Sequence, residues 1–196
     1  EIICHWNVSR FAETLIPLLA DNEDKAIKIG VKIINKFSDK FKYKWISMMK
    51  NKLGFIGNFP EDEIFIKKIL SWMEVNKADY TNTFLFLMNP TFSSEGIYKS
   101  KSFVDLYEEW KKRINKNNES KKTYLNIMQT NNPLLIPRNH IVEESLTNIC
   151  ENNNYNNFNE LINLIKNPYE NKEIKQYYQS PPDSIFINSY KTFCGT

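Results

Sequence analysis

Apolar residues in this chain recur at helical spacing almost throughout, and the short apolar runs show no convincing strand. That period belongs to the α-helix and limits the fold more than any other feature, because a strand needs alternation between turn signals. In "PEDEIFIKKILSWMEVNKADY" it sets Phe65, Ile69, Trp72 and Met73 on one buried side, behind an opening of Pro60 and three acids. "WNVSRFAETLIPLL" puts Phe11, Leu15 and Leu18 on one face with Trp6 nearby, and Pro17 is expected to end or kink that helix. "DNEDKAIKIGVKIINKF" carries acids ahead of a face through Ala26, Ile33, Ile34 and Phe37. The next helix stops at Gly54, a natural C-terminal cap, and Asp79 or Thr81 caps a later one. Residues 89–100 read as a loop, "ENNNYNN" as a polar connector, and Pro181-Pro182 ends regular structure ahead of an irregular tail. The expectation is an all-α fold of about nine or ten helices in one compact unit.

With 196 residues, 41% of them hydrophobic and 14% aromatic, the chain has enough material for a sizeable core. No apolar run approaches the roughly 20 residues that span a bilayer, so no membrane partner is expected. The net charge of +3 is carried almost wholly by lysine, since arginine occurs only at 10, 113 and 138. With 23 acids nearly balancing the bases, the lysines read as solvated surface, and no basic stripe points to nucleic acid. Cysteines at 4, 150 and 194 and histidines at 5 and 140 make no metal-ligand spacing. Cys4 and Cys150 are expected to pack as small apolar helix residues.

Glycine-rich phosphate loops, kinase catalytic motifs, a nucleophile elbow and the zinc-protease pair are all absent. The acids of "FPEDE" (Glu61, Asp62, Glu63) read as a helix start rather than a catalytic pair. In "NNPLLIPRNHIVEES" a turn framed by Pro133 and Pro137 precedes a helix beginning at Arg138 or Asn139. Arg138 suits a bidentate contact that lysine cannot copy. Arg138, Asn139 and His140 are therefore structural clamp candidates, with His140 a structural histidine rather than a base. Trp6, Trp45, Trp72 and Trp110 lie on helix faces and read as core.

Several segments, taken in order, resemble the selenoprotein O family. "CHWNVSRFAETLIPLL" resembles its Trp-Asn helix, "MMKNKLGF" its Met-x-x-Lys-Leu-Gly segment, and "ADYTNTFLFL" its Asp-Tyr-Thr segment. "WKKRI", "MQTNNPLLIPRNHIVEES", "FNELINLIKNPYE" and "YYQSPPD" are similar to later family motifs in the same order. The family ends on selenocysteine or cysteine followed by two residues, usually serines; here Cys194 holds that place with Gly195 and Thr196 after it. The Gly-Thr ending and the longer Asn-rich connectors depart from the pattern.

The resemblance implies a kinase-like (pseudokinase) fold that transfers AMP from ATP, with Mg or Mn, to Ser, Thr or Tyr hydroxyls of protein substrates. It implies that the family's Lys-Glu pair, metal-binding Asn and Asp, and phosphate-binding arginines lie upstream of the Trp-Asn helix. On that reading, residues 1–182 are the C-terminal helical part of the large lobe, cut inside a fold at Glu1. Residues 183–196 are a tail carrying a redox-regulatory Cys194. This chain would then hold no catalytic residue, bind no nucleotide or metal itself, and partner the upstream catalytic half. The implied location is mitochondrial for a eukaryotic source and cytoplasmic for a bacterial one. The alternative is a non-catalytic helical scaffold or protein-interaction module.

Overall fold

The computed structural model describes residues 2–91, 96–170 and 173–191, and the described residues form eleven α-helices and one 3-10 turn without a strand. They fall into two compact units, residues 1–49 and 50–196, where the periodicity suggested one.

In the first unit α1 (Ile2–Leu19) packs against α2 (Glu23–Ile34), and α3 (Phe37–Leu53) begins. Pro17 lies inside α1, and the helix ends two residues beyond it. Asn22 caps α2 by accepting the Lys25 amide at 2.9 Å, and Glu23 and Asp24 in the first turn complement the helix dipole. The burial pattern departs from expectation. The half-buried residues of α1 are His5, Ser9, Ala12, Leu15, Ile16 and Leu19, so of the expected face Leu15 is half-buried whereas Phe11 is 64% exposed and Leu18 81%. Trp6, at 60% exposure, is not core, and Trp45 is only half-buried. On α2, Ala26 is buried as expected but Ile33 is exposed. A 3.6-residue period reports that a face is apolar, not that anything covers it.

In the second unit α4 (Asp62–Asn76) buries Phe65, Ile69, Trp72 and Met73 as its spacing predicts. They meet α5 (Tyr80–Met88) and α6 (Lys101–Asn115) in an aromatic core: Trp72 lies 4.7 Å from Phe103, and Phe86 stacks on Tyr98 at 4.5 Å. Tyr98 sits on the 3-10 turn Gly96–Lys99, so the described part of the expected loop 89–100 is partly ordered as a turn. Then come α7 (Lys121–Asn131), α8 (Asn139–Asn152) and α9 (Asn156–Lys166), and a smaller cluster of Leu135, Ile141, Leu161 and Tyr178 closes around α8 and α9. Tyr178 belongs to the one-turn α10 (Gln176–Gln179). Beyond Pro182 the chain forms another short helix, α11 (Ser184–Ser189), where an irregular tail was expected; Asp183 caps it by accepting the Phe186 amide at 2.8 Å.

The turn after α3 shows why glycine stands at 54. The Gly54 amide donates to Asn51 O and the Phe55 amide to Lys50 O, the paired bonds of a Schellman ending. That ending requires a left-handed residue, and Gly54 has φ +72°. A Cβ there would also lie 2.9 Å from Met128 Cγ and Sδ.

The two cysteines expected to be buried are exposed. Cys150 follows Ile141 by nine residues, which at 100° per residue is the opposite side of α8 from the Ile141 and Ser145 stripe. Cys4 lies off the α2-facing side of α1, in line with Phe11 and Leu18.

Candidate functional site

Two of the three arginines are buried, and each organises a polar node in the second unit. Arg113, on α6, donates from Nε to Asp62 Oδ1 at 2.5 Å and from Nη2 to Asp62 Oδ2 at 3.1 Å. Its remaining bonds go to Asn117 Oδ1 and Ile56 O, and its guanidinium lies over the Phe59 and Phe55 rings at 4.2 and 4.6 Å. Asn117 returns a bond to Gly54 O, and the Trp110 indole donates to Leu53 O at 2.9 Å. The irregular stretch 54–59 is thus held from both sides, with most of its backbone groups satisfied. Burial pushes the Asp62 carboxyl up, but the Arg113 hydrogen bond and charge, the Phe59 amide and Lys50 outweigh it and hold the group below its ordinary value.

The second node joins three helix ends. Arg138, at the start of α8, donates from Nη1 to Asp79 Oδ2 at 2.6 Å and from Nη2 to Asp79 Oδ1 at 3.0 Å. Asp79 is meanwhile the N-cap of α5, accepting the Asn82 amide at 2.8 Å. Asn82 accepts a third bond from Arg138 and donates to Gln179 O at the end of α10, whose side chain donates to Leu134 O. Two residues past Arg138, His140 packs edge-on to Phe186 at 5.7 Å, with its Nδ1 buried and without a hydrogen-bond partner. Burial and then the Arg138 charge lower its pKa, against Glu144 and Asp183, so the imidazole favours its neutral form. Asn139 begins α8 and is exposed. Cys194 lies outside the described residues.

Beside this node a cleft of about 390 Å³ opens between the start of α8 and α11, walled by Pro137, Pro182, Phe186 and Tyr190. Its only charged lining group is Arg138, whose two terminal nitrogens are already engaged by Asp79 and Asn82. That arrangement holds helix ends together, while the Arg138 Nε is buried without a hydrogen-bond partner. Among the described residues no three of His, Cys, Asp and Glu come together as a metal-ligand set. The buried Asp62 and the half-buried Asp79 carboxylates both face guanidinium groups. The donor set among the described residues therefore does not fit a metal–nucleotide complex.

The proline-framed turn and the bidentate chemistry of arginine bring Arg138 forward, but its partner Asp79 reads in the sequence only as a cap, and the Arg113–Asp62 pair is not legible there at all. The scarcity of arginine in a lysine-rich chain was the available signal: a guanidinium is kept where a planar, bidentate contact is made. The segments that fill these nodes, "KLG", "ADYT", "WKKR", "NNP" and "PRN", are scattered in sequence and meet in space.

A helical chain whose described residues are fixed by buried arginine nodes is the class of protein that fold and site define. The sequence profile described as protein adenylyltransferase SelO matches residues 1–166, and the chain belongs to that family. It is 41% identical over 197 residues to a protein nucleotidyltransferase YdiU of Pelagibacter ubique, which aligns with 99% of this chain. Relatives of the same name from Bacillus mycoides and Nitrosococcus oceani are 39% and 38% identical and align with 97% and 99% of it. The chain spans only 39–40% of the length of these bacterial relatives.

Proposed function

We propose that this chain is the C-terminal helical part of a kinase-like protein adenylyltransferase, one that transfers AMP from ATP to Ser, Thr or Tyr hydroxyls of other proteins. The carrying observation is identity near 40% along the whole chain to proteins called protein nucleotidyltransferases, of which it spans two fifths. ATP, Mg or Mn and the catalytic groups belong to the remaining three fifths, in agreement with a donor set here that is committed to arginine pairs. Arg138 and Arg113 are structural clamps that fix helix ends, and Cys194 is a regulatory thiol. The partners are protein substrates and the catalytic part of the same family protein, and for a bacterial source the setting is the cytoplasm. No helix among the described residues is long and apolar enough to cross a membrane.

The test is labelling by a family protein that contains this chain together with the remaining three fifths. Incubated with a protein acceptor, it incorporates label from ATP marked at the α-phosphate and none from ATP marked at the γ-phosphate. Incorporation of γ-label would make it a kinase and overturn the reading.

A further inference from the structure

Of the face of α1 that the sequence pattern marks for burial, Leu15 is half-buried while Phe11 and Leu18 are left open. Cys4, Phe11 and Leu18 follow one another at seven-residue steps and form one row, with Ile3 at the edge of the same face, about 100° round the helix from Cys4. Ile3 is 75% exposed, Phe11 64% and Leu18 81%, and Cys4 is exposed as well. The α2-facing side, centred on Ser9, Ala12 and Ile16, is roughly half a turn away. The Cys4–Phe11–Leu18 row itself carries no charge: Asn7 and Thr14 lie beside it toward Ile3, and Arg10, seven residues on from Ile3 at the edge of the face, is paired with Glu13 at 2.5 Å. An uncharged row this apolar is a surface that another element covers.

We propose that the Ile3–Cys4–Phe11–Leu18 stripe is the docking surface for the part of the family protein that this chain does not span. Two observations select that occupant. The relatives align with 97–99% of this chain, α1 included, yet they are about two and a half times its length, so an α1-like helix in them lies within reach of a large further body of protein. The Cys4–Phe11–Leu18 row also carries no charge of its own, and Arg10 at the edge of the face is paired with Glu13, as suits a permanent, dry contact rather than a steered, transient one. The inference rests on the reading of the chain as one part of a larger adenylyltransferase, and it assigns the surface through which the parts join.

Cys4 supplies the test, because it lies in the stripe while the equally exposed Cys150 on α8 does not. Alkylation by iodoacetamide is followed by mass spectrometry in the chain alone and in a full-length family protein that contains it. The longer protein slows Cys4 alkylation by more than about tenfold and leaves Cys150 unchanged, as expected for a group freed only by local opening. Phe11→Glu restores Cys4 reactivity in the longer protein, while helicity and the unfolding midpoint of the chain alone stay the same. Equal Cys4 rates in the two overturn the proposal. Protection in the chain alone also overturns it, by a second copy if it grows with concentration and by residues 50–196 if it does not. Protection of Cys4 in a longer protein that transfers no AMP leaves docking intact and counts against the activity reading instead.

Discussion

Asp79 and Arg138 stand 59 residues apart in sequence and meet through two parallel hydrogen bonds of 2.6 and 3.0 Å, one carboxylate against one guanidinium. Asp79 also caps α5, and Arg138 occupies the N-cap position of α8, so one ion pair fixes the starts of two helices. If this pair is a clamp, its geometry matters as well as its charge. Arg138→Lys keeps the charge but loses the fork, and is expected to cost about 1–3 kcal/mol in urea unfolding. Arg138→Met leaves Asp79 uncompensated and costs more, about 3–5 kcal/mol. A lysine variant as stable as the parent would show that the fork carries no weight.

The Asp62–Arg113 pair makes a claim about pH. Asp62 is held below its ordinary value in the folded protein, so the folded state binds its proton less readily than the unfolded chain does. The stabilisation is therefore fully present above the ordinary carboxylate range, near pH 4, and is lost as pH falls through the lower folded-state value. Asp62→Asn is expected to be less stable at pH 7 and to show a shallower loss below about pH 4, measured by thermal unfolding across pH. Parallel pH curves for variant and parent would remove Asp62 from the acid response.

How far the sequence reveals this depends on the kind of relationship. Faces and caps are local: the α4 stripe of Phe65, Ile69, Trp72 and Met73, the Gly54 stop and the Asp79 cap all follow from neighbours within a few residues. Partners are not local. Arg138 stands out as a rare guanidinium, but nothing near it names Asp79, and Asp62 hides in an acidic helix start where a dipole explanation already suffices. In α1 the apolar pattern is real and its cover absent among the described residues, so a correct reading of the face gave a wrong expectation of burial for Phe11, Leu18 and Cys4.

The glycines separate two physical cases. At Gly30, inside α2, an added Cβ meets only Leu19 Cδ1 at 3.8 Å, so Gly30→Ala is expected to stabilise by about 0.5–1 kcal/mol through helix propensity. Gly54→Ala must hold a left-handed backbone and displace Met128, and is expected to cost about 1–3 kcal/mol. Denaturant midpoints moving the same way for both variants would contradict this account.

The regulatory role proposed for Cys194 rests on the family resemblance, and it is tested in the longer protein. Oxidation with diamide should change the gel mobility and the AMP-transfer rate of the parent, reversibly with reductant, and leave Cys194→Ser unaffected. Identical behaviour of the two would make the thiol a bystander.

The central claim is that these 196 residues supply helical structure and no nucleotide site. Calorimetric titration of the chain alone with Mg-ATP, repeated with Mn-ATP, tests it most directly. The account predicts only heats of dilution at every concentration. A saturable isotherm would contradict it, because it would place a metal–nucleotide site among residues whose Asp62 and Asp79 carboxylates are here assigned to Arg113 and Arg138.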